Sequence, residues 1–455
     1  MLKVRGKDIV KEDGSKIILR GFNLGNLALV EPNMFGTPGT EHRLRRAMNL
    51  YAGKEKTDRF FKGLNDKWVT GEDIAFLKEL GCNSLRIPIN YRYFERDDKP
   101  YHYLEEGFQL IDRLLEYCRR YEMYAVIDLH AVQGFQSGDW HCDNLFAEQV
   151  NVYYDAMYQD RLYALWREIA GRYSREEWLA GYDLMNEPVA VDQFEIQALN
   201  SIYDNIVKNI RQADQEHILF IEGNTWAQDF DCLKPPLDQN CVYSNHYYCD
   251  AAVTPSDYPG EIDGVRYDIN KMKADMTKRD HYMENYQVPC WVGEFGVRRL
   301  GSPEGKQQAL KDYLSVFEER GHSWCYWNFK DLSLRGPLYL DPASAWCRFL
   351  KKIQPLKDKY YTDRSMPLND AWDLTSVFGE FEEGDFTLGL KETKEILIRN
   401  MRETLGDQLT LKFAQFFAEL TDKEIDEITD SFLFHNCRIY KPWADVFLSY
   451  MKVSE

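Results

Sequence analysis

The sequence predicts an α/β fold, a (β/α)8 TIM barrel followed by a C-terminal helical extension. Three observations carry that prediction. Short β-branched or apolar runs alternate with segments of helical period as far as residue 355. The runs number eight, which closes a barrel, whereas an open doubly wound sheet is built from about five or six. No Gly-x-Gly-x-x-Gly follows the first run, so a dinucleotide-binding sheet finds no support.

The strand runs are 17–26, 83–89, 124–130, 179–187, 218–224, 241–248, 289–296 and 322–331. Between them, 71–80, 105–121, 153–173, 193–213 and 305–320 place apolar residues three and four apart. Such alternation implies parallel strands joined by right-handed crossovers, and in full it pairs eight strands with eight helices. Before the first barrel strand, MLKVRGKDIVKEDGSKIILRG alternates apolar and charged residues around Asp13-Gly14 and reads as a β-hairpin.

Two loops are long. Residues 27–67 contain a helix-like stretch at 41–52, and residues 131–151 contain Phe135, Trp140, His141 and Phe146. Both follow strand C-termini and so overhang the face where barrels of this kind place their sites. They are expected to shape a substrate cleft, with Trp140 and His141 among its contacts. After Pro355 the pattern changes. Residues 356–389 are irregular and acidic, and 390–453 read as amphipathic helices without strands. The chain therefore divides into a barrel, 1–355, and a helical extension, 356–455, packed on the barrel or serving as an oligomerisation module.

Composition narrows the function. A net charge of −18 argues against a nucleic-acid partner and against attraction to an anionic membrane. No run of 18 apolar residues suggests a spanning helix. The N-terminus shows no apolar signal core, and the ten cysteines lack metal spacing. A cytoplasmic protein with free thiols is the expectation, Cys142 and Cys249 near the mouth being inert. Aromatics at 14 % suit a protein that stacks on sugar rings.

Polar residues at the ends of parallel barrel strands converge on one mouth. Strand two carries Arg86, strand three His130, and strand four Asn186-Glu187-Pro188. Strand six ends at His246-Tyr247-Tyr248, strand seven at Glu294, and strand eight at Trp327. Glycoside cleavage needs such a set. One carboxyl protonates the leaving oxygen while another attacks or assists at the anomeric carbon. Glu187 and Glu294 are the candidates, their pKa values split by different surroundings. Arg86 and the Tyr248 hydroxyl would favour the charged form of Glu294, and His246 would tune Glu187. Asn186 would hold the sugar 2-hydroxyl, and Trp327 would lie beneath the reacting ring.

The stretches RGFNLGN, NSLRIPI, VIDLHA, LMNEP, SNHYY, WVGEFG and CYWNFKD, spread from Arg20 to Asp331, resemble glycoside hydrolase family 5. The resemblance implies that Arg86, His130, Asn186, Glu187, His246, Tyr248, Glu294 and Trp327 form the active site. It implies Glu187 as acid/base, Glu294 as nucleophile, net retention, and no metal or organic cofactor.

The substrate class expected is a β-linked oligosaccharide. The stretch 130–136, HAVQGFQ, is similar to a His-x-x-x-Gly-x-Gln loop of exo-acting β-glucanases. An exo-acting or oligosaccharide-directed β-glucosidase is therefore the first expectation. A β-mannosidase, then an endo-glucanase or endo-mannanase, are the alternatives on the same scaffold. Two other classes compete: a non-catalytic carbohydrate-binding barrel, and a metal-dependent hydrolase using His130, His141 and His246. Oligomeric state is left open.

Overall fold

The computed structural model describes residues 1–144, 150–360 and 390–451. Eight parallel strands close a barrel: β1 (Arg20–Asn23), β2 (Ser84–Asn90), β3 (Tyr124–Ala131), β4 (Leu179–Asp183), β5 (Ile218–Glu222), β6 (Cys241–His246), β7 (Cys290–Phe295) and β8 (Ser323–Tyr326). Strands pair in chain order, and β8 returns to β1 with Cys325 beside Gly21. All eight lie inside the predicted runs or within one residue of them. Most stop earlier, because the last residues of each run leave the ladder and turn into the mouth.

Period-two alternation sorts the side chains. In β2, Leu85, Ile87 and Ile89 pack outward in the main core, and Arg86 is left for the interior. In β5, Ile218 and Phe220 face inward and so, two residues on, does Glu222. A second, smaller core fills the barrel around Val126, Ala180, Phe220, Val242 and Trp291, with Leu2 and Ile9 packed against it. Ile9 belongs to, and Leu2 directly precedes, the N-terminal strands Lys3–Arg5, Asp8–Val10 and Lys16–Ile17. That sheet has three strands, one more than the predicted hairpin, because Gly6 at φ 58° makes a further turn.

The helices Gly71–Glu79, Glu105–Tyr121, Ala156–Tyr173, Gln193–Ala213 and Pro303–Arg320 follow the predicted segments. Their ends are chemically marked. Thr70 and Asp73 form a capping box, Asp192 and Ser302 cap N-termini, and Gly321 at φ 69° closes the last helix. Strict alternation fails in the fifth unit. Between β5 and β6 the described helix is a single turn, Asn224–Ala227, with Thr225 and Trp226 left-handed. Pro235 and Pro236 in that connection remove two amide donors and prevent a longer helix.

The extension also departs from prediction. Among the described residues it is mostly helical, but Cys437–Ile439 is a strand, completing a small sheet with Lys330–Asp331 and Leu338–Leu340. Three residues paired through their backbone leave no alternation for a sequence to show. Most of the predicted irregular stretch, 361–389, lies outside the described residues, and 354–359 is a short helix.

The helices of the extension pack on the barrel's first long loop. That loop folds as Pro32–Phe35, Glu41–Tyr51 and Lys54–Lys67, more helix than its sequence suggests. Leu390–Ala418 lies against the second of these and Asp422–Asp430 against the third. An aromatic seam of Phe35, Phe60, Trp346, Phe413, Phe417 and Phe432 joins them. Each buried ring removes enough apolar surface to contribute about 1.5–3 kcal/mol. Beneath the seam, Lys330 Nζ donates to Asp73 at 2.7 Å and to the Phe432 carbonyl at 2.9 Å, all fully buried. The last helix, Lys441–Met451, seats Phe447 4.7 Å from Phe22 of β1 and 4.9 Å from Tyr326 of β8. No described helix is long and apolar enough to cross a membrane.

Candidate active site

Arg86 is the hub of the mouth. Its guanidinium, wholly buried, donates to Asp183 at 2.9 Å, Asn23 at 3.1 Å, Glu294 at 2.7 Å, Asn186 at 2.8 Å and Glu222 at 2.9 Å. Asp128 lies 3.1 Å away. A planar fork with five N–H groups can serve that many acceptors in fixed directions, which a lysine could not. Residues from five other strands or their ends are thereby fixed around one cation.

Glu294 takes two donors, Arg86 on Oε1 at 2.7 Å and the Tyr248 hydroxyl on Oε2 at 2.9 Å. Burial by itself would raise its pKa. His246, Arg86, His130 and the Tyr248 bond outweigh that and hold it at about 2, so it is an anion at any ordinary pH. Glu187, on the turn after β4, has φ +44° and exposes 13 % of its side chain. Oε1 lies 2.8 Å from His246 Nδ1 and Oε2 lies 3.4 Å from His141 Nε2. Oxygens of Glu187 and Glu294 and a ring nitrogen of His246 all fall within 4.8 Å of one another.

His130 keeps Nδ1 2.7 Å from Asp128 and stacks on Trp327, rings 5.2 Å apart and 11° from parallel. Burial opposes its charge, but Asp128 and Glu31 prevail and raise it to about 9. Both long loops reach the site, the first through Glu31, 3.8 Å from His130 Nε2, and the second through His141. Asn186 accepts from Arg86 and places its amide 3.3 Å from His141 Nδ1. Trp140 is half-buried and linked to the set by an edge-on contact with His141.

The structure thus brings Arg86, His130, Asn186, Glu187, His246, Tyr248, Glu294 and Trp327 to one space, with His141 touching Glu187 and Trp140 at the margin. The three histidines of the metal reading do not form one ligand group among the described residues. The deep group Asp128, Asp183 and Glu222 encloses the Arg86 guanidinium. Gln136, the last letter of HAVQGFQ, is buried and donates to the carbonyls of His130 and Asn186 at 2.7 and 2.8 Å. It braces β3 against β4. Cys142, buried behind His141, lies 3.0 Å from the Ser137 hydroxyl, and burial raises the Cys249 thiol to about 11.

Sequence reasoning missed four buried polar residues here: Asn23, Asp128, Asp183 and Glu222. Each lies in a barrel strand, and the signal was available in the inward phase of Ile218, Phe220 and Glu222. Trp226, whose indole donates to Asp139 at 2.7 Å, was missed as well, because nothing in its left-handed turn marks it.

A family model described as "Cellulase (glycosyl hydrolase family 5)" matches residues 52–333, more than half of the chain. The chain belongs to glycosyl hydrolase family 5. Among curated members, a "Beta-xylosidase" from Phanerodontia chrysosporium is 30 % identical over 463 residues, 96 % of this chain and 95 % of that protein. "Endoglucanase C" of Acetivibrio thermocellus is 27 % identical over 324 residues, 63 % of this chain and 92 % of its own length. Of solved structures, a glycoside hydrolase superposes at TM-score 0.54 with 21 % identity, covering 69 % of this chain and 90 % of that one. Endoglucanase Cel5A of Thermotoga maritima gives 0.51 and 19 %, covering 68 % and 89 %. At that identity the likeness concerns the fold alone, a (β/α)8 barrel. The chain is an O-glycoside hydrolase, with β-xylosidase, endoglucanase and cellodextrinase relatives.

Proposed function

We propose that this enzyme hydrolyses β-linked oligosaccharides with retention, Glu294 as nucleophile and Glu187 as acid/base. The observation that carries the reading is the pair of carboxylates within 4.8 Å in unlike surroundings. Retaining enzymes hold the two about 5–5.5 Å apart, inverting ones about 6.5–9.5 Å to admit a water. Glu294, anionic between Arg86 and Tyr248, attacks the anomeric carbon while Glu187 gives its proton to the leaving oxygen. The C–O bond breaks and a glycosyl ester forms on Glu294. Glu187, now ionised, takes a proton from water, which attacks the same carbon and releases Glu294. In this reading Arg86 steadies the nucleophile, Asn186 meets the 2-hydroxyl, and Trp327, backed by His130, offers a flat face.

The preferred mode in this reading is exo-acting or oligosaccharide-directed cleavage of the β-glucosidase type, since Glu187 and Glu294 expose only 13 and 6 % of their side chains. A β-xyloside is the second reading, favoured by the likeness to a β-xylosidase along 96 % of the chain. Nitrophenyl β-glucoside, β-xyloside and β-mannoside assayed side by side test both. The reading expects one to be cleaved with kcat lost in Glu294→Ala. Rapid loss of polymer viscosity with few new reducing ends would instead mark an endo-enzyme. Sugar binding without cleavage of aryl glycosides or natural oligosaccharides would mark a binding barrel.

A further inference from the structure

Glu222, at the end of β5, has no part in the two-carboxylate scheme, yet it touches Glu187, Arg86 and His246. Its Oε2 accepts the Glu187 backbone N–H at 2.6 Å, and its Oε1 accepts Arg86 Nη2 at 2.9 Å. The same Oε1 lies 3.2 Å from Nε2 of His246, close enough for a strong charge interaction though poorly aligned for a hydrogen bond. On its other side, His246 meets Oε1 of Glu187 through Nδ1 at 2.8 Å. Glu222 and the His246 ring are buried, and the Tyr203 hydroxyl behind β5 donates to the Glu222 carbonyl at 2.8 Å.

We propose that Glu222 is a positioning residue acting through His246, the counter-charge that keeps one proton in the Glu187–His246 pair and fixes the backbone of Glu187. The inference rests on Glu187 being the acid/base. The proton resides on His246 Nδ1 or Glu187 Oε1, 2.8 Å apart, and leaves with the aglycone oxygen. Glu187 recovers one from the attacking water, so the pair ends each cycle as it began. A negative charge 3.2 Å from the imidazole favours the proton-bearing pair.

The groups facing this line are Arg86 from β2, Asp128 and His130 from β3, His141 from the loop after β3, Asp183 from β4, Tyr248 after β6, Glu294 from β7 and Tyr203 from the helix behind. Burial opposes a charge on His246, yet Glu222 and Glu294 hold its pKa well above the ordinary value. Burial raises Glu222 to about 7, against the pull of His246 and Arg86. Above that pH it is an anion, in the range where the acid/base must still hold its proton.

The experiment is the pH profile of kcat/KM on the best aryl glycoside for the unaltered enzyme, Glu222→Gln and Glu187→Gln. Removing the Glu222 charge is expected to move the alkaline limb to lower pH by about 1–3 units, with KM changed less than about threefold. An alkaline limb within about 0.3 units of the parent in a folded Glu222→Gln overturns the proposal. Glu187→Gln separates the underlying reading: if it keeps the parent's activity and limb, Glu187 is not the acid, whatever Glu222 does. Should Glu222→Gln not fold, ¹⁵N-histidine NMR of the unaltered enzyme decides, with His246→Asn used to assign the resonance. A His246 ring still protonated above about pH 8 supports the proposal, and deprotonation near about pH 6.5 overturns it.

Discussion

The mouth of the barrel and the aromatic seam share one long loop, through Glu31 at the mouth and Phe35 and Phe60 in the seam, yet they are held by opposite means. At the mouth, Arg86 gathers Asp183, Glu222, Glu294 and two asparagines through bonds of 2.7–3.1 Å. The seam is rings in contact, with Trp346 4.7 Å from Phe35, 5.5 Å from Phe60 and 5.9 Å from Phe432. Directional bonds place an atom, whereas apolar packing supplies free energy without specifying one geometry. Disturbing the mouth should therefore remove chemistry and leave the fold, and disturbing the seam should do the reverse.

Four outcomes break or sharpen that contrast. Glu294→Ala should lower kcat on the order of 10⁴-fold, read in steady-state kinetics per folded molecule. Trp346→Ala, at the centre of the seam, should cost about 3–5 kcal/mol in urea unfolding while kcat per folded molecule stays within about twofold of the parent. A large change in kcat there would show that the seam shapes the site.

The third outcome is a matter of sign. Glu294 is held at about 2, below its unfolded value of about 4.3. Its contribution to stability is complete above about pH 4.3 and is lost as pH falls toward about 2. Unfolding free energy should therefore fall more steeply through that window in the parent than in Glu294→Gln. The smallest effect is expected from Trp140→Ala, about a two- to tenfold rise in KM with kcat kept, since Trp140 meets the set at its margin, through an edge-on contact with His141.

The same contrast explains what the sequence disclosed. Asn186-Glu187-Pro188, His246-Tyr247-Tyr248 and Glu294-Phe295-Gly296 stand where apolar runs end, so a reader who finds eight runs also finds their polar ends. Glu222 escaped because it lies inside the predicted run 218–224, away from its polar end, and its partners come from β2, the turn after β4, and β6. The seam escaped for another reason. Phe35, Trp346 and Phe432 stand far apart in the sequence, and ring packing leaves no spacing rule behind. The fifth unit shows a limit of alternation itself, since Pro235-Pro236 replaces a crossover helix without opening the barrel. Within HAVQGFQ, Gln136 holds the carbonyls of His130 and Asn186, a bracing role that its spacing in the sequence does not disclose.

The central claim is that Glu187 and Glu294 act on opposite sides of one anomeric carbon in two successive steps. Proton NMR of the freshly released sugar, recorded before mutarotation, tests it most directly. The account predicts that the β-anomer forms first. If the α-anomer forms first, the reaction inverts, and the assignment of Glu294 as nucleophile is contradicted.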